Sequence, residues 1–201
     1  MNAYGESLKR ILDPEILNFN LKFVSIYIAV YESFKEHIVS NVKYFFWSGI
    51  EDGKEQFHGY DEEVLSLSKS KENRQIKGTL AWLEKYGCIN DEDIKLFKTI
   101  TDTRNTLTHN MPNKLFEGVN DQTVESFISM IKLFEKIDKW GIMEIEIPTS
   151  GQYTAEEQQN IDWDQVTSVD LEFLKIITDV ALNGNKQYLD ILNRQEETAN
   201  A

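Results

Sequence analysis

The sequence predicts an all-α fold, and three observations support that prediction. Proline occurs only at positions 14, 112 and 148 of the 201 residues, so long segments contain no strong helix breaker. Apolar residues within those segments recur every three or four positions, which is the period of a helix. Typical start and stop residues, such as Asn120 and Gly87, stand at the ends of the segments. We expect one domain, residues 1–201, built of packed helices.

The first helix is expected to be long. Asp13 is placed to cap it and Pro14 suits its first turn. Its apolar face consists of Phe23, Ile26, Tyr27, Val30 and Phe34, and the pattern continues for some thirty residues, to about Trp47. The aromatic segment at its end, residues 44–47, is typical of a core, with a dimer or partner surface as the alternative.

A glycine-containing stretch, residues 48–63, then predicts a loop, followed by a short helix around Glu62 to Leu67 and a helix from Thr79 to Tyr86 that ends at Gly87. The segment between these helices is locally basic. Its cations are Lys69, Lys71, Arg74 and Lys77. Two interpretations stay open for this segment, a solvated helix start or loop and a surface that binds the phosphates of RNA.

The next helix is predicted from Asn90, its cap, to about Asn110, because Met111 precedes Pro112 and is biased out of helical geometry. Another amphipathic helix should run from Asn120 to about Trp140 and stop at Gly141.

The C-terminal part is predicted as a helical extension covering about residues 163–195. The sequence IMEIEIP before it indicates an extended linker. Thr167 and Asp170 resemble a variant capping box for a last pair of helices, residues 171–183 and 186–194, which Gly184 separates. A frayed tail, QEETANA, is expected after them.

Composition restricts the class of protein. Apolar residues make up 41% and charged residues 27%, which is ordinary for a folded globular chain. The net charge of −13 argues against broad, nonspecific adhesion to nucleic acid, so any nucleic-acid activity needs a local basic site.

The single cysteine, Cys88, allows no internal disulfide, which fits the reducing cytoplasm, and we expect it to be a buried thiol. We find neither a signal peptide nor an apolar run that would span a membrane, and we expect no membrane association.

No pattern in the sequence calls for a cofactor or a metal. His37 and His58 have no metal-ligand spacing to each other or to the cysteine. Glycine-rich phosphate loops, dinucleotide fingerprints and nucleophile elbows are absent from the sequence. We therefore expect no cofactor.

Arg104 occupies an unexpected place on the helix that follows Asn90. It falls inside the apolar arc formed by Ile94, Leu96, Phe97, Ile100 and Leu107. A guanidinium cannot lose its proton, so its burial needs an acidic partner, a second subunit or an anionic ligand. An ion pair with a carboxylate of the same chain, such as Glu32, is the purely structural alternative.

His109 lies about 140° around that helix from Arg104, with Asn105 one turn before it. Asn105 is therefore placed to hydrogen-bond the imidazole and orient it. Arg104 and His109 can reach one ligand only if the helix loosens before Pro112, or if two copies meet across a two-fold axis. A helix-end histidine that interacts with the helix dipole is the structural alternative for His109.

The stretch Arg104-Asn-Thr-Leu-Thr-His109 resembles the R-x4-H signature of the HEPN superfamily, in which a polar residue such as Asn105 commonly follows the arginine. The resemblance covers about residues 15–140. It implies a small helical bundle that dimerises to join both motifs in one cleft, and many such proteins are metal-independent endoribonucleases of toxin-antitoxin or phage-defence systems. Met111 stands where the subset controlled by a partner nucleotidyltransferase has a tyrosine, which puts that control in doubt.

The residue types suit cleavage of RNA, whose own 2′-hydroxyl is the nucleophile. The reaction needs a proton acceptor, a proton donor and a cation for the phosphate, roles that fit His109 and Arg104. We expect Arg104, Asn105 and His109 to be catalytic, and Thr108 with the four basic residues at 69, 71, 74 and 77 to bind substrate. The expected partners are a second copy, RNA and an antitoxin or other regulatory protein. A noncatalytic helical dimer that binds RNA, a nucleotide or a protein, and a merely structural subunit with Arg104 paired internally, stay open as alternatives.

Overall fold

The structure is a computed structural model that describes residues 12–163 and 165–182, together with Asp190 and Asn193. Over these residues the all-α prediction is confirmed, with one small β-hairpin added. The α-helices are α1 (Pro14–Phe45), α2 (Tyr60–Glu63), α3 (Arg74–Lys85), α4 (Asp91–His109), α5 (Met111–Glu117), α6 (Asp121–Gly141), α7 (Ile147–Ser150), α8 (Ala155–Gln159) and α9 (Val169–Leu182). The hairpin strands are β1 (Trp47–Glu51) and β2 (Lys54–Phe57), a 3₁₀ turn covers Leu65–Leu67 and a π-helical turn covers Ile142–Glu146.

The predicted helix caps at three starts are confirmed. The backbone N–H of Glu15 donates to Oδ1 of Asp13 at 2.9 Å. Asn90 accepts in the same way from the N–H of Glu92 at 2.9 Å. Asn120 accepts from the N–H of the residue three positions later, also at 2.9 Å. Each side chain thereby satisfies a backbone donor that the first helical turn leaves unpaired, so α1, α4 and α6 begin where sequence reasoning placed them.

The chain divides into two compact units, and the single-domain prediction stays a prediction. The first unit comprises Met1–Glu32, Leu96–Lys132 and Glu172–Ala201. The second comprises Ser33–Lys95 and Leu133–Leu171.

The first unit has an aromatic core between α1, α4 and α6. Its buried apolar residues include Phe23, Val24, Tyr27, Val30, Tyr31, Phe97, Ile100, Leu107, Val124, Phe127, Ile128 and Met130. Phe23 meets Phe127 edge to face with ring centroids 5.4 Å apart. The hydroxyl groups of Tyr27 and Ser126 are hydrogen-bonded at 2.7 Å, so this core also holds a satisfied polar pair.

The second unit has its own core. Buried apolar residues there include Phe34, Ile38, Val42, Tyr60, Val64, Ile76, Leu80, Trp82, Leu83, Cys88, Ile89, Leu133, Phe134 and Ile137. Gly78 lies in close approach to the chain before α3, because a Cβ built there would stand 2.5 Å from the carbonyl oxygen of Val64. The prediction that Cys88 is buried is confirmed, and burial raises the pKa of its thiol to about 12.

The loop predicted for residues 48–63 is wrong in part, because it contains the antiparallel hairpin. Glu51 pairs with Lys54 across a two-residue turn in which Asp52 and Gly53 have φ of 50° and 73°. Two successive positive φ values are typical of a type I′ turn, for which Asp-Gly is a preferred sequence. That dipeptide was the available signal for the hairpin.

Three further expectations are corrected. The segment IMEIEIP is not an extended linker: helical geometry continues past Gly141 through the π-helical turn and α7. Helix α3 begins at Arg74 instead of Thr79. The cap of α9 is Ser168, whose Oγ accepts the N–H of Leu171 at 3.2 Å, whereas the Thr167 hydroxyl is buried without a hydrogen-bond partner among the described residues.

Two helical segments complete the comparison. Helix α5, with Pro112 in its first turn, was not anticipated; proline suits that position because the first-turn N–H groups have no helical partner anyway. The short helix expected around Glu62–Leu67 is found as α2 followed by the 3₁₀ turn. The predicted helix 186–194 and the tail lie outside the described residues, apart from Asp190 and Asn193.

Candidate functional site

The guanidinium of Arg104 is half-buried inside the first unit and is held on several sides. Its Nη2 donates to Oε1 of Glu32 on α1. Its Nη1 donates to Oδ1 of Asn105 at 3.2 Å. The side chains of Arg104 and Glu32 keep 26% and 43% of their surface exposed, so water reaches this ion pair from one side. Of the partners that the sequence left open for Arg104, the structure shows the acidic side chain of the same chain, Glu32.

The ring of Tyr31 lies against the guanidinium. The Cζ of Arg104 is 5.5 Å from the centroid of this ring, within the range of a cation–π contact. The Tyr31 hydroxyl meets Oγ1 of Thr101 at 3.1 Å, and that threonine hydroxyl donates to the carbonyl of Phe97. Because a hydroxyl has one proton, Tyr31 is the donor to Thr101. Burial raises the pKa of Tyr31, so it stays protonated at neutral pH and is no candidate for a general base.

Two of the five N–H groups of Arg104 are used by Glu32 and Asn105. The Nε group is buried and has no hydrogen-bond partner among the described residues. An incoming anion cannot reach that buried donor. The donors left for a ligand are the remaining ones on Nη1 and Nη2, at the end of the guanidinium.

Within one chain Asn105 has a different hydrogen-bond partner from the imidazole that was predicted. Its side-chain oxygen accepts from Arg104, and the structure gives it no hydrogen bond to His109. Asn105 thus orients the guanidinium. This role needs only adjacency along the helix, whereas orienting the imidazole would have needed a contact across a full turn.

His109 is the last residue of α4 and is exposed. The helix stays regular up to this point, because the N–H of Asn110 still donates to the carbonyl of Thr106 at 3.0 Å. The helix leaves regular geometry only at Asn110, after both motif residues, so the first of the two alternatives does not bring Arg104 and His109 together. On a regular helix Arg104 and His109 point about 140° apart, and the structure does not bring them together within one chain.

Thr108 is exposed beside the motif, but its hydroxyl proton is already in use. Its Oγ1 donates to the carbonyl of Arg104 at 2.9 Å. Thr103 and Thr106 make the same bond to the residue four positions earlier, so this is a repeated feature of α4. While its hydroxyl donates to this carbonyl, Thr108 can accept a hydrogen bond from a ligand but cannot donate one to a phosphate.

The predicted basic segment belongs to the second unit. Lys69 and Lys71 precede α3, while Arg74 and Lys77 lie in its first turn, and all four are exposed. Arg74 donates from Nε to the carbonyl of Leu65 at 3.1 Å, so part of this cation fixes the chain before α3. The solvated helix start anticipated for this segment describes its local structure, and binding of phosphates there stays a prediction.

Sequence reasoning missed a histidine–aspartate pair in the second unit. Nε2 of His37 is 2.9 Å from Oδ1 of Asp138, whose side chain is buried, and 2.8 Å from the amide nitrogen of Asn41. Oδ2 of Asp138 accepts the N–H of Ser168 at 2.8 Å. Burial acts to raise the pKa of Asp138, but the contacts from His37 and Ser168 outweigh it and the pKa is lowered. The two residues are far apart in sequence, and no local pattern announces such a pair.

Comparison with protein families, with curated proteins and with solved structures finds no match to this chain. No helix in the described part of the chain is both long and apolar enough to cross a membrane. Among the described residues, no three His, Cys, Asp or Glu side chains are grouped as a metal site would require.

Proposed function

We propose that the protein is a metal-independent endoribonuclease of the HEPN type, acting in the cytoplasm as part of a toxin-antitoxin or phage-defence system. In this proposal two copies join their α4 helices, and Arg104 of one copy works with His109 of the other on a single phosphodiester. Asn105 keeps the guanidinium in position. An antitoxin or another regulatory protein then controls the activity.

One observation carries the proposal: a permanent cation with two donor nitrogens at its open end lies on the same helix as an exposed imidazole. The helix points these groups about 140° apart, so one copy alone does not form a complete site. A two-fold axis beside α4 is the arrangement that unites a cation from one copy with an imidazole from the other. The proposed dimer follows from this divergence.

The reaction is an internal transfer. The 2′-oxygen of RNA forms a bond to phosphorus while the bond from phosphorus to the 5′-oxygen breaks, which leaves a 2′,3′-cyclic phosphate and a 5′-hydroxyl. His109 accepts the proton of the 2′-hydroxyl as the 2′-oxygen attacks, and its protonated ring then donates a proton to the leaving 5′-oxygen. The guanidinium of Arg104 stabilises the charge that grows on the phosphate oxygens.

The test is cleavage of purified total RNA by the purified protein, with Arg104→Ala and His109→Ala as the site variants. Loss of one of these groups should lower the rate by at least about a hundredfold, the usual contribution of a general acid–base or charge-stabilising group. Lys98→Ala, an exposed cation on the same helix, is the matched control and should keep full activity. Products should carry 2′,3′-cyclic phosphate ends and form equally well in excess chelator.

A noncatalytic dimer that binds RNA, a nucleotide or a protein through the same residues is the second candidate. Two observations favour it: Glu32 already neutralises Arg104, and the chain carries a net charge of −13. RNA that stays intact with wild type and both site variants, with any neighbouring regulatory protein removed, would decide for this candidate. Cleavage that needs Arg104 and His109 but not Lys98 decides for the enzyme.

A further inference from the structure

We infer that Glu32 occupies the position on Arg104 that a phosphate group of RNA takes, so that the carboxylate and the substrate compete for the same end of the guanidinium. The inference rests on the proposed function and concerns regulation of the same site. In the absence of RNA, Glu32 keeps Arg104 paired. RNA binding then requires that this pair opens.

The contacts around Arg104 lead to this conclusion. The guanidinium carbon lies 5.5 Å from the centroid of the Tyr31 ring, and Nε is buried and unreachable. An anion can therefore approach only at the end formed by Nη1 and Nη2. Nη2, one of the two nitrogens at that end, already donates to Oε1 of Glu32. A phosphate that binds both nitrogens meets the carboxylate at the same place.

Charge strengthens the competition. A carboxylate and a phosphate both carry negative oxygen atoms that accept from a guanidinium, and two anions at one cation repel each other. Glu32 is 43% exposed, so its side chain has an open side toward which it can turn away. Asn105 differs from Glu32 because its amide is neutral and does not repel a phosphate.

The partial exposure of the ion pair between Arg104 and Glu32 also sets how much its loss changes the affinity for RNA. An ion pair that water reaches is of modest strength, so exchange of Glu32 for a phosphate is feasible. Removing the carboxylate charge should tighten RNA binding by about two- to fivefold, the affinity change that corresponds to a pair of this strength.

The experiment measures binding without chemistry. A short, fluorescein-labelled 2′-O-methyl RNA has no free 2′-hydroxyl and cannot be cleaved by the proposed reaction, and its fluorescence anisotropy reports Kd. Wild type is compared with Glu32→Gln, which keeps the size of the side chain, and with Glu32→Ala, which also removes the amide. Glu36→Gln is the matched control, because it removes an equal charge from an exposed position one turn later on α1. Far-UV circular dichroism and thermal melting verify that each variant folds.

A double variant separates competition at Arg104 from a general change of charge. In the Arg104→Ala background, Glu32→Gln should change Kd by less than about twofold, because the cation for which both anions compete is gone. Tighter binding by Glu32→Gln or Glu32→Ala that depends on Arg104, with Glu36→Gln unchanged, supports the inference. Unchanged or weaker binding by both Glu32 variants overturns it, as does an equal gain from Glu36→Gln.

This binding assay is independent of catalysis. If no variant cleaves RNA but Glu32→Gln binds the labelled RNA more tightly through Arg104, the enzyme proposal fails and the competition stands. If wild type cleaves RNA and removal of the Glu32 charge does not tighten binding, the competition fails and the enzyme proposal stands.

Discussion

Asp138 offers a sharp stability test in the second unit, because its buried carboxylate serves two elements at once. It is 2% exposed, accepts the N–H of Ser168 just before α9, and contacts His37 on α1. Asp138→Asn keeps the shape of the side chain but removes its charge. It also replaces one acceptor oxygen with an NH₂ group, and the Ser168 N–H then has at best a neutral amide oxygen as its acceptor.

The size of the effect follows from these contacts. A hydrogen bond to a charged group contributes about 1.5–3 kcal/mol, and a buried donor left without an acceptor costs about 1–3 kcal/mol. The two terms overlap, since they describe the same contacts from opposite sides. We expect Asp138→Asn to lower the free energy of unfolding by about 2–4 kcal/mol at neutral pH. Urea unfolding followed by circular dichroism measures this change.

The exposed Asp102→Asn is the matched control, and it should change the free energy of unfolding by less than about 0.5 kcal/mol. The pH dependence provides a second check. The pKa of Asp138 is lower in the folded protein, so its contribution is complete above the ordinary carboxyl pKa of about 3.9 and is lost as the pH falls through the lower folded value. A loss below about 0.5 kcal/mol for Asp138→Asn, or equal losses for both variants, would refute the reasoning.

Two further predictions concern packing and assembly. Gly78→Ala should lower the free energy of unfolding by about 1–3 kcal/mol, because its Cβ would stand 2.5 Å from a backbone carbonyl oxygen. Gly141→Ala, whose Cβ would meet nothing within 4 Å, should be neutral or stabilising by up to about 1 kcal/mol in the same urea unfolding experiment. Equal losses would contradict the close approach at Gly78. If Arg104 and His109 act across a dimer, the inactive Arg104→Ala and His109→Ala proteins should complement each other when they are mixed in equal amounts and allowed to exchange subunits. Half of the dimers are then mixed and each mixed dimer has one intact site of two, so about a quarter of wild-type cleavage should return. No recovery, with mixed dimers demonstrated by mass spectrometry, would exclude that arrangement.

Several elements were predictable because they depend on neighbours in sequence. Asp13, Asn90 and Asn120 each accept a backbone N–H from two or three residues later in the chain, so their roles as helix caps are visible in the sequence. The hairpin was predictable for the same reason, since Asp52-Gly53 favours its turn, but the strands are short and were interpreted as a loop. The π-helical turn at Ile142–Glu146 overrode an alternating pattern typical of a strand, because no second strand is present there to pair with it among the described residues.

The candidate site likewise has features that the sequence predicts and features that only helix packing decides. Periodicity placed Arg104 within an apolar arc, where its charge needed an acidic partner, a second subunit or an anionic ligand. That the anion is Glu32, with the Tyr31 ring beneath the guanidinium and Asn105 turned toward it, was decided by the packing of α1 against α4. The pairing of His37 with Asp138 likewise depended on α1 and α6 meeting in the second unit.

The sequence alone determined the helical class of this protein, the starts of the three long helices α1, α4 and α6, and the place of Arg104 on the apolar face of α4, because backbone hydrogen bonds and caps act over a few residues. Only the tertiary structure decided which carboxylate pairs with Arg104, how much of the guanidinium remains open, and that α4 stays regular through His109. These outcomes depend on side chains from distant segments competing for the same donors, and that competition begins only when the helices pack.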